Sequence, residues 1–211
     1  MGRRRGGGDW TAIHNAVNDA TYTFQPRVAD QAPLVFLSRV EPIKGCHMAI
    51  AIAKRAGRRL IIAGNHTEQG DLGAYWREQI LPEIGQNGIE YVGEINDAQK
   101  NELLGQALAM VVPIEWDEPF GIVFVEALAC GTPIISAPRG ALPEIVEDGR
   151  HGFLVRSVEE GAAAVARLGM IDRHACRSRF EESFSSRVIA NEYLGLYRRL
   201  IAESRQRTAS R

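Results

Sequence analysis

Six short apolar segments alternate with longer segments of helical periodicity between residues 34 and 168. The apolar segments lie at residues 34–37, 60–63, 90–92, 110–112, 133–136 and 153–155, and they are nearly continuous in hydrophobicity. Strands buried on both faces of a parallel sheet have this character. The intervening segments predict covering helices at residues 44–55, 71–81, 97–107, 119–129 and 157–168. The pattern therefore predicts an α/β fold, a doubly wound parallel sheet of about six strands with helices on both faces.

The pattern divides the chain into three predicted parts. Residues 1–30 are polar and irregular and begin with a basic, glycine-rich stretch, so we expect a flexible start. Residues 31–184 contain the alternating pattern of the main domain. In residues 185–211, apolar positions at helical spacing predict a closing amphipathic helix followed by a charged tail. A few apolar residues of the start are expected to pack locally: Trp10, Ile13, Val17, Tyr22 and Phe24.

The composition narrows the class of protein. Of 211 residues, 45% are hydrophobic, which is ample for a core, and 25 basic against 26 acidic side chains give no reason to expect nucleic acid as a partner. No apolar run approaches the roughly 20 residues of a membrane span, and the first residues lack the apolar core of a secretion signal. We therefore expect a cytoplasmic protein. Its three cysteines, Cys46, Cys130 and Cys176, are far apart, and we expect Cys46 and Cys130 to be reduced.

Glycines follow several of the predicted strands. Gly64, Gly93 and Gly140 come after the second, third and fifth strands. Because ligands of doubly wound sheets bind beyond the carboxyl ends of the strands, these turns are expected to border a binding site.

Two cations flank the start of the first predicted helix. Arg39 follows the first strand, and Lys44 opens the helix. Two cations beside the amides of a helix N-terminus suit a diphosphate. Surface charges beside a loop explain the same spacing equally well.

Two glutamates mark the helix predicted at residues 119–129. Glu118 precedes Pro119 and Gly121, and Glu126 lies eight residues on, roughly 80° around a helix axis. In a functional interpretation Glu118 contacts a hydroxylated ligand and Glu126 a ribose diol, while the amides of Phe120, Gly121 and Ile122 face phosphate or sugar oxygens. In a structural interpretation the negative charge of Glu118 interacts favourably with the helix dipole, and Glu126 pairs with a buried basic side chain.

The segment at residues 139–155 predicts a loop, a short helix, a glycine turn and a strand. Its Glu144 is interpreted most simply as a structural or solvated acid, and its His151 as a surface histidine. The chain lacks the phosphate-binding loop of nucleotide hydrolases, the dinucleotide-binding glycine motif after a first strand, and the nucleophile elbow of hydrolases.

Taken in order, these segments resemble the carboxyl-terminal, donor-binding domain of the group 1, family 4 retaining glycosyltransferases. The resemblance covers about residues 10–200 and rests on residues 38–45, 118–133 and 140–155, with residues 13–18 similar to the family's interdomain connector. It implies a Rossmann-like domain that forms one half of a GT-B architecture. Ser38 and Ala16 stand where the family often has glycine.

The resemblance also implies roles for individual residues. Arg39 and Lys44 would bind the donor diphosphate and, with Glu118 on the transferred sugar, serve catalysis. Glu126 would bind the ribose, and Ile95 would contact the nucleobase with Lys100 as a neighbour. The donor would be a nucleotide sugar of the UDP, GDP or ADP type, with no cofactor and no metal.

A GT-B enzyme needs a second domain of similar size for the acceptor, and only about 30 residues precede the first predicted strand. The resemblance thus implies an acceptor-binding N-terminal domain in cis or on another chain, with any peripheral membrane association made through that domain. The main alternative is a non-catalytic nucleotide-binding or assembly subunit that uses the same pocket. An epimerase or phosphorylase of the same architecture is a further alternative.

Overall fold

The computed structural model describes residues 10–209, and the surroundings of their side chains as far as residue 206. A parallel sheet of six strands forms its centre, in the order β3-β2-β1-β4-β5-β6. The strands are β1 (Leu34–Leu37), β2 (Leu60–Ala63), β3 (Ile89–Gly93), β4 (Ala109–Val112), β5 (Ile134–Ser136) and β6 (Gly152–Leu154). The predicted fold class is confirmed, and each predicted strand is present within two residues at either end.

Eight α-helices lie within residues 10–209. They are α1 (Cys46–Ala56), α2 (Gly70–Tyr75), α3 (Asp97–Gln106), α4 (Ile122–Ala129), α5 (Leu142–Ile145), α6 (Val158–Arg167), α7 (Arg173–Ser183) and α8 (Ser186–Ala209). Helix α1 packs against α6, whereas α4 packs against α3 and α7, so both faces of the sheet are covered. None of these helices is both long and apolar enough to cross a lipid bilayer.

Several helix boundaries differ from the prediction. The helix expected from residue 119 begins at Ile122, because Gly121 has a φ of 83° and the chain before it is not helical. The helix expected from residue 44 begins at Cys46, after a 3-10 turn at Pro42–Lys44 and a left-handed Gly45. The helix expected at residues 71–81 changes into a π-helical turn at Trp76–Ile80.

The sheet reverses its direction of growth between β1 and β4. These strands are neighbours, yet β2 and β3 extend the sheet on one side and β5 and β6 on the other. The loops that follow β1 and β4 therefore lead to opposite halves of the sheet. The crevice between two such loops is the topological switch point, where doubly wound folds bind ligands. The amide of Glu115 donates to Ile43 O at 2.8 Å and holds the two loops together.

The chain before β1 lies along the domain rather than apart from it. Val17 and Tyr22 are buried, and the amide of Val17 donates to Phe184 O at 3.1 Å. Trp10, in contrast, is 89% exposed. The basic glycine-rich stretch of the predicted flexible start lies in residues 1–9, outside the described residues, and the predicted boundaries at residues 30 and 184 stay predictions.

One buried cation joins this segment to two helix ends. The guanidinium of Arg173, at the start of α7, donates to carbonyl oxygens of Gln25 at 2.7 Å, Ala107 at 2.9 Å and Gly105 at 3.1 Å. It also donates to Thr132 Oγ1 at 3.1 Å. Burial lowers the pKa of Arg173, which faces carbonyl dipoles near the end of α3 rather than a carboxylate.

Candidate functional site

Lys44, Trp116 and Glu118 meet at the switch point. Lys44 Nζ donates to Glu118 Oε2 at 2.5 Å, and the indole nitrogen of Trp116 donates to the same oxygen at 3.0 Å. The ammonium also lies 4.5 Å from the centre of the Trp116 ring. Lys44 is only 9% exposed and Glu118 only 8%, so this ion pair is largely removed from water. The two loops thus bring together Lys44, predicted to bind the diphosphate, and Glu118, predicted to bind the sugar.

Glycines fix the backbone around Glu118. A Cβ on Gly140 would lie 2.2 Å from Glu118 O and 2.3 Å from Glu118 N, so only glycine fits there. The next amide, of Ala141, donates to Glu118 O at 2.8 Å. On the other side, a Cβ on Gly121 would lie 2.5 Å from the Phe124 ring and 3.1 Å from Glu118 Cγ. Glu118 is therefore held by its own backbone and by the start of α4.

A second lysine–glutamate pair involves Glu126 of α4, eight residues beyond Glu118. Lys100 Nζ, on α3, donates to Glu126 Oε1 at 2.9 Å and lies 3.2 Å from Asp97 Oδ1. Burial opposes the charge of Lys100, but the hydrogen bonds and charges of Glu126 and Asp97 prevail and raise the pKa of Lys100. The sequence did not predict this pairing, because it associated Lys100 with the nucleobase position at Ile95 rather than with Glu126.

Tyr22 completes this second cluster. Its ring centre lies 6.0 Å from Lys100 Nζ, and its phenol interacts with the Glu126 carboxylate. Burial, reinforced by Glu126, raises the pKa of Tyr22, so the phenol stays protonated and can donate to a carboxylate. The segment before β1 thereby contributes a side chain to the site.

The amides at the start of α4 lie between the two clusters. Gly121 caps the helix without a side-chain hydrogen bond, and it accepts from the amide of Phe124 at 3.1 Å. Within residues 10–209, the amides of Phe120, Gly121 and Ile122 donate to no protein acceptor. Free donors at a helix N-terminus attract anions.

Arg39 and Lys44 differ in exposure and in their acidic partners. Its side chain is 59% exposed, and its guanidinium pairs with Glu41 at 2.8 Å. Each of the two cations predicted to bind the diphosphate therefore has its own acidic partner.

Gly64 and Ile95 border the site at the ends of β2 and β3. The amide of Gly64 donates to Gly93 O at 2.8 Å, and a Cβ on Gly64 would lie 1.9 Å from Ser38 O. Gly64 therefore permits the close approach of two loops. Ile95 is half-buried and precedes Asn96, whose side chain caps α3 in a capping box with Gln99.

The segment at residues 139–155 contains a corrected prediction. His151 is 3% exposed, so its interpretation as a surface histidine is wrong; its Nδ1 accepts from the amide of Glu147 at 3.2 Å. Burial and the neighbouring Arg179 and Arg150 lower the pKa of His151. Glu144 is exposed and pairs with His14 at 3.2 Å, in agreement with a structural or solvated acid.

Two site residues were not identified from the sequence. Trp116 and Tyr22 have aromatic side chains, which are ordinarily explained by packing. The signal for Trp116 was its place two residues before Glu118 in the loop after β4. No signal pointed to Tyr22, because its contact with α4 is formed across more than 100 residues of chain. Within the described residues, no group of three or more acidic, histidine or cysteine side chains could hold a metal ion.

Solved structures share this fold. AviGT4, a glycosyltransferase involved in avilamycin A biosynthesis, matches 93% of this chain and 60% of its own with a TM-score of 0.76 and 28% identity. HepE from Anabaena, solved with UDP and glucose, matches 88% of this chain and 55% of its own with a TM-score of 0.75 and 23% identity. The likeness to HepE establishes the fold, which is shared with one part of each larger chain.

Curated relatives resemble the sequence over most of its length. A glycogen synthase of Mycobacterium tuberculosis is 31% identical over 207 residues, which cover 89% of this chain and 49% of that protein. A D-inositol 3-phosphate glycosyltransferase of Mycobacterium bovis is 32% identical over 186 residues, 82% of this chain and 38% of that protein. The chain therefore spans half or less of the length of these relatives.

The family profile described as Glycosyl transferases group 1 matches residues 20–181. This match includes both lysine–glutamate pairs, the start of α4 and the loops at the switch point. The chain belongs to the group 1 glycosyltransferases, as its sequence motifs predicted.

Proposed function

We propose that this chain binds a nucleotide-diphosphate sugar and, with an acceptor-binding domain, transfers the glycosyl group with retention of configuration. Two lysine–glutamate ion pairs support this proposal, the buried pair of Lys44 with Glu118 and the partly buried pair of Lys100 with Glu126, together with the free amides at the start of α4. A nucleotide sugar offers hydroxyls to both carboxylates and phosphates to the amides and ammonium groups. Anabaena HepE, which shares the fold, was solved with UDP and with UDP-glucose.

The geometry suggests a division of labour in the transfer step. Negative charge develops on the departing diphosphate, and Lys44, the amides of α4 and a reoriented Arg39 would stabilise it. Glu118 would accept hydrogen bonds from sugar hydroxyls and fix the direction of the anomeric carbon. In this proposal no metal and no cofactor take part, and the donors to the diphosphate are Lys44, Arg39 and the amides of α4.

The nucleotide half of the site would be formed by α3 and α4. Glu126 would accept from the ribose diol while Lys100 remains beside it, and Ile95 would contact the base. Gly64 would lie in the loop beneath the phosphates, where the lack of a side chain leaves room for them. These contacts suit UDP, GDP or ADP alike.

An exposed apolar stripe on α8 supports the need for a partner domain. Its side chains are exposed and cluster within nine residues: Tyr193, Leu194, Tyr197, Leu200 and Ile201. Contiguous apolar surface of this kind is typical of an interaction site. We propose that the acceptor-binding domain, in cis or on another chain, covers it and provides any contact with a membrane surface.

The cysteines suit a reducing compartment. All three are buried and unpaired, and burial raises the pKa of Cys130 and Cys176 to about 12. Thiols in this state are unreactive, and free thiols are usual in cytosolic proteins. We therefore propose a cytoplasmic location.

Isothermal calorimetry with UDP, GDP and ADP, and with the matching nucleotide sugars, tests the proposal. Glu126→Gln should weaken binding of the nucleotide itself, whereas Glu118→Gln should weaken only the nucleotide sugar. Glu159→Gln, at an exposed position on α6, is the matched control. A folded wild-type protein that binds none of these ligands would refute the proposal. Transfer activity of the chain mixed with an acceptor-binding domain would exclude the non-catalytic alternative.

A further inference from the structure

We infer that Trp116 is a positioning residue that holds the sugar-binding carboxylate and the diphosphate-binding ammonium in one arrangement. The inference rests on the function proposed above for Glu118 and Lys44. It concerns a residue for which the structure shows two different contacts, one through the indole N–H and one through the ring face.

The three side chains form a closed triangle. Trp116 Nε1 and Lys44 Nζ both donate to Glu118 Oε2, at 3.0 Å and 2.5 Å, and the ammonium lies 4.5 Å from the centre of the indole ring. Trp116 is half-buried and packs against the core, whereas Glu115 and Asp117 on either side of it are exposed. The indole is therefore fixed by the core rather than by the pair that it contacts.

Donor binding changes the need for these contacts. When a diphosphate approaches Lys44, the ammonium shares its charge with the phosphates, and Glu118 loses part of its counter-charge. The indole N–H carries no charge to share with the diphosphate, and its ring packs against the core, so it keeps Oε2 fixed while Oε1 is free to accept from a sugar hydroxyl. The ring face meanwhile restricts where the ammonium can move.

Two substitutions separate the two contacts. Trp116→Phe keeps an aromatic face for Lys44 but removes the N–H, whereas Trp116→Leu removes both. With UDP and UDP-glucose as ligands in calorimetry, we expect Trp116→Phe to bind UDP within twofold of wild type and UDP-glucose at least about 10-fold more weakly, as for a lost hydrogen bond to a charged group. Trp116→Leu should weaken both ligands.

A packing role alone would give a different pattern. It would change UDP and UDP-glucose affinity in parallel with the melting temperature, and such a parallel loss in Trp116→Phe overturns the inference. In the Glu118→Gln background, removing the indole N–H should change the ratio of the two affinities much less, because a neutral amide oxygen replaces the charged acceptor. An undiminished effect there also overturns it.

Trp10→Phe is the matched control, since Trp10 is the most exposed tryptophan and makes no contact with the site. It should leave both affinities unchanged. If the wild-type protein binds neither ligand, the proposed function fails and the inference fails with it. If the wild type binds both and Trp116→Phe keeps the wild-type ratio, the inference alone fails.

Discussion

Replacing Gly140 by alanine should move Glu118 and weaken sugar binding. The new Cβ would lie 2.2 Å from Glu118 O, and contacts of this kind are essentially never shorter than 3.0 Å, so the loops must separate by about 0.8 Å. Alanine at a φ of 55° adds about 1 kcal/mol of backbone strain. A displacement near 1 Å at a reacting group can cost about 100-fold, and we expect Gly140→Ala to bind a nucleotide sugar at least about 10-fold more weakly.

Gly149→Ala provides a matched control. Gly149 has a φ of 77°, and nothing lies within 4 Å of the position that an added Cβ would take, so alanine there brings the backbone strain without the clash. Thermal unfolding should show a loss of about 1 kcal/mol for Gly149→Ala and a larger loss for Gly140→Ala. Calorimetry with nucleotide and nucleotide sugar then isolates the displacement of Glu118. Equal nucleotide-sugar affinity in the two variants would refute the reasoning.

Three further predictions concern other buried groups. Arg173→Met should lower the free energy of unfolding in urea by about 3–5 kcal/mol, because several buried carbonyl groups lose their donor. The control substitution at an exposed arginine, Arg150→Met, should change it by less than about 0.5 kcal/mol. Similar losses in the two variants would contradict the prediction. Tyr22→Phe should weaken UDP about 5-fold by removing a donor to Glu126, while 2′,3′-dideoxy-UDP is affected less; an equal loss for both ligands in calorimetry would count against it. Because burial lowers the pKa of His151, its neutral form stabilises the fold above about pH 6.5, and that contribution is lost as the pH falls. Lowering the pH from 7 to 5 should therefore reduce the free energy of unfolding in urea more for wild type than for His151→Gln. Parallel pH profiles of the two proteins would contradict this prediction.

The sheet could be predicted because its signal is local. Each strand is a short apolar run, and a run such as residues 34–37 is entirely buried in the structure, as continuous hydrophobicity indicates. Helix starts were less predictable because they depend on single backbone angles. Pro119 favours an earlier start of α4, but the left-handed conformation of Gly121 delays it to Ile122.

The helix α7 was not predicted, and its sequence explains why. It is rich in charged residues, and its core-facing positions include Arg173 and Cys176, which do not stand out as an apolar stripe. A buried arginine becomes intelligible only once the carbonyl groups around it are placed by the fold.

The candidate site was predictable in its residue types but not in its pairing. The sequence identified Lys44, Lys100, Glu118 and Glu126, and it associated Lys44 with Arg39 as a cation pair. The structure instead pairs each cation with an acid, because a buried ammonium or carboxylate needs an opposite charge nearby. Partners such as these lie 26 and 74 residues apart in the chain, beyond the reach of local patterns.

The pairing of every site cation has a consequence for which anions can compete. Inorganic phosphate or sulfate could draw Lys44 or Lys100 away from its glutamate, but it would leave a buried carboxylate without its counter-charge. A nucleotide sugar brings hydroxyls for the carboxylates as well as charge for the ammonium groups. The paired charges also present little net positive field to solution, so the rate of association should change little with ionic strength. The same ion pairs that neutralise the charges of the site would then exclude simple anions from it.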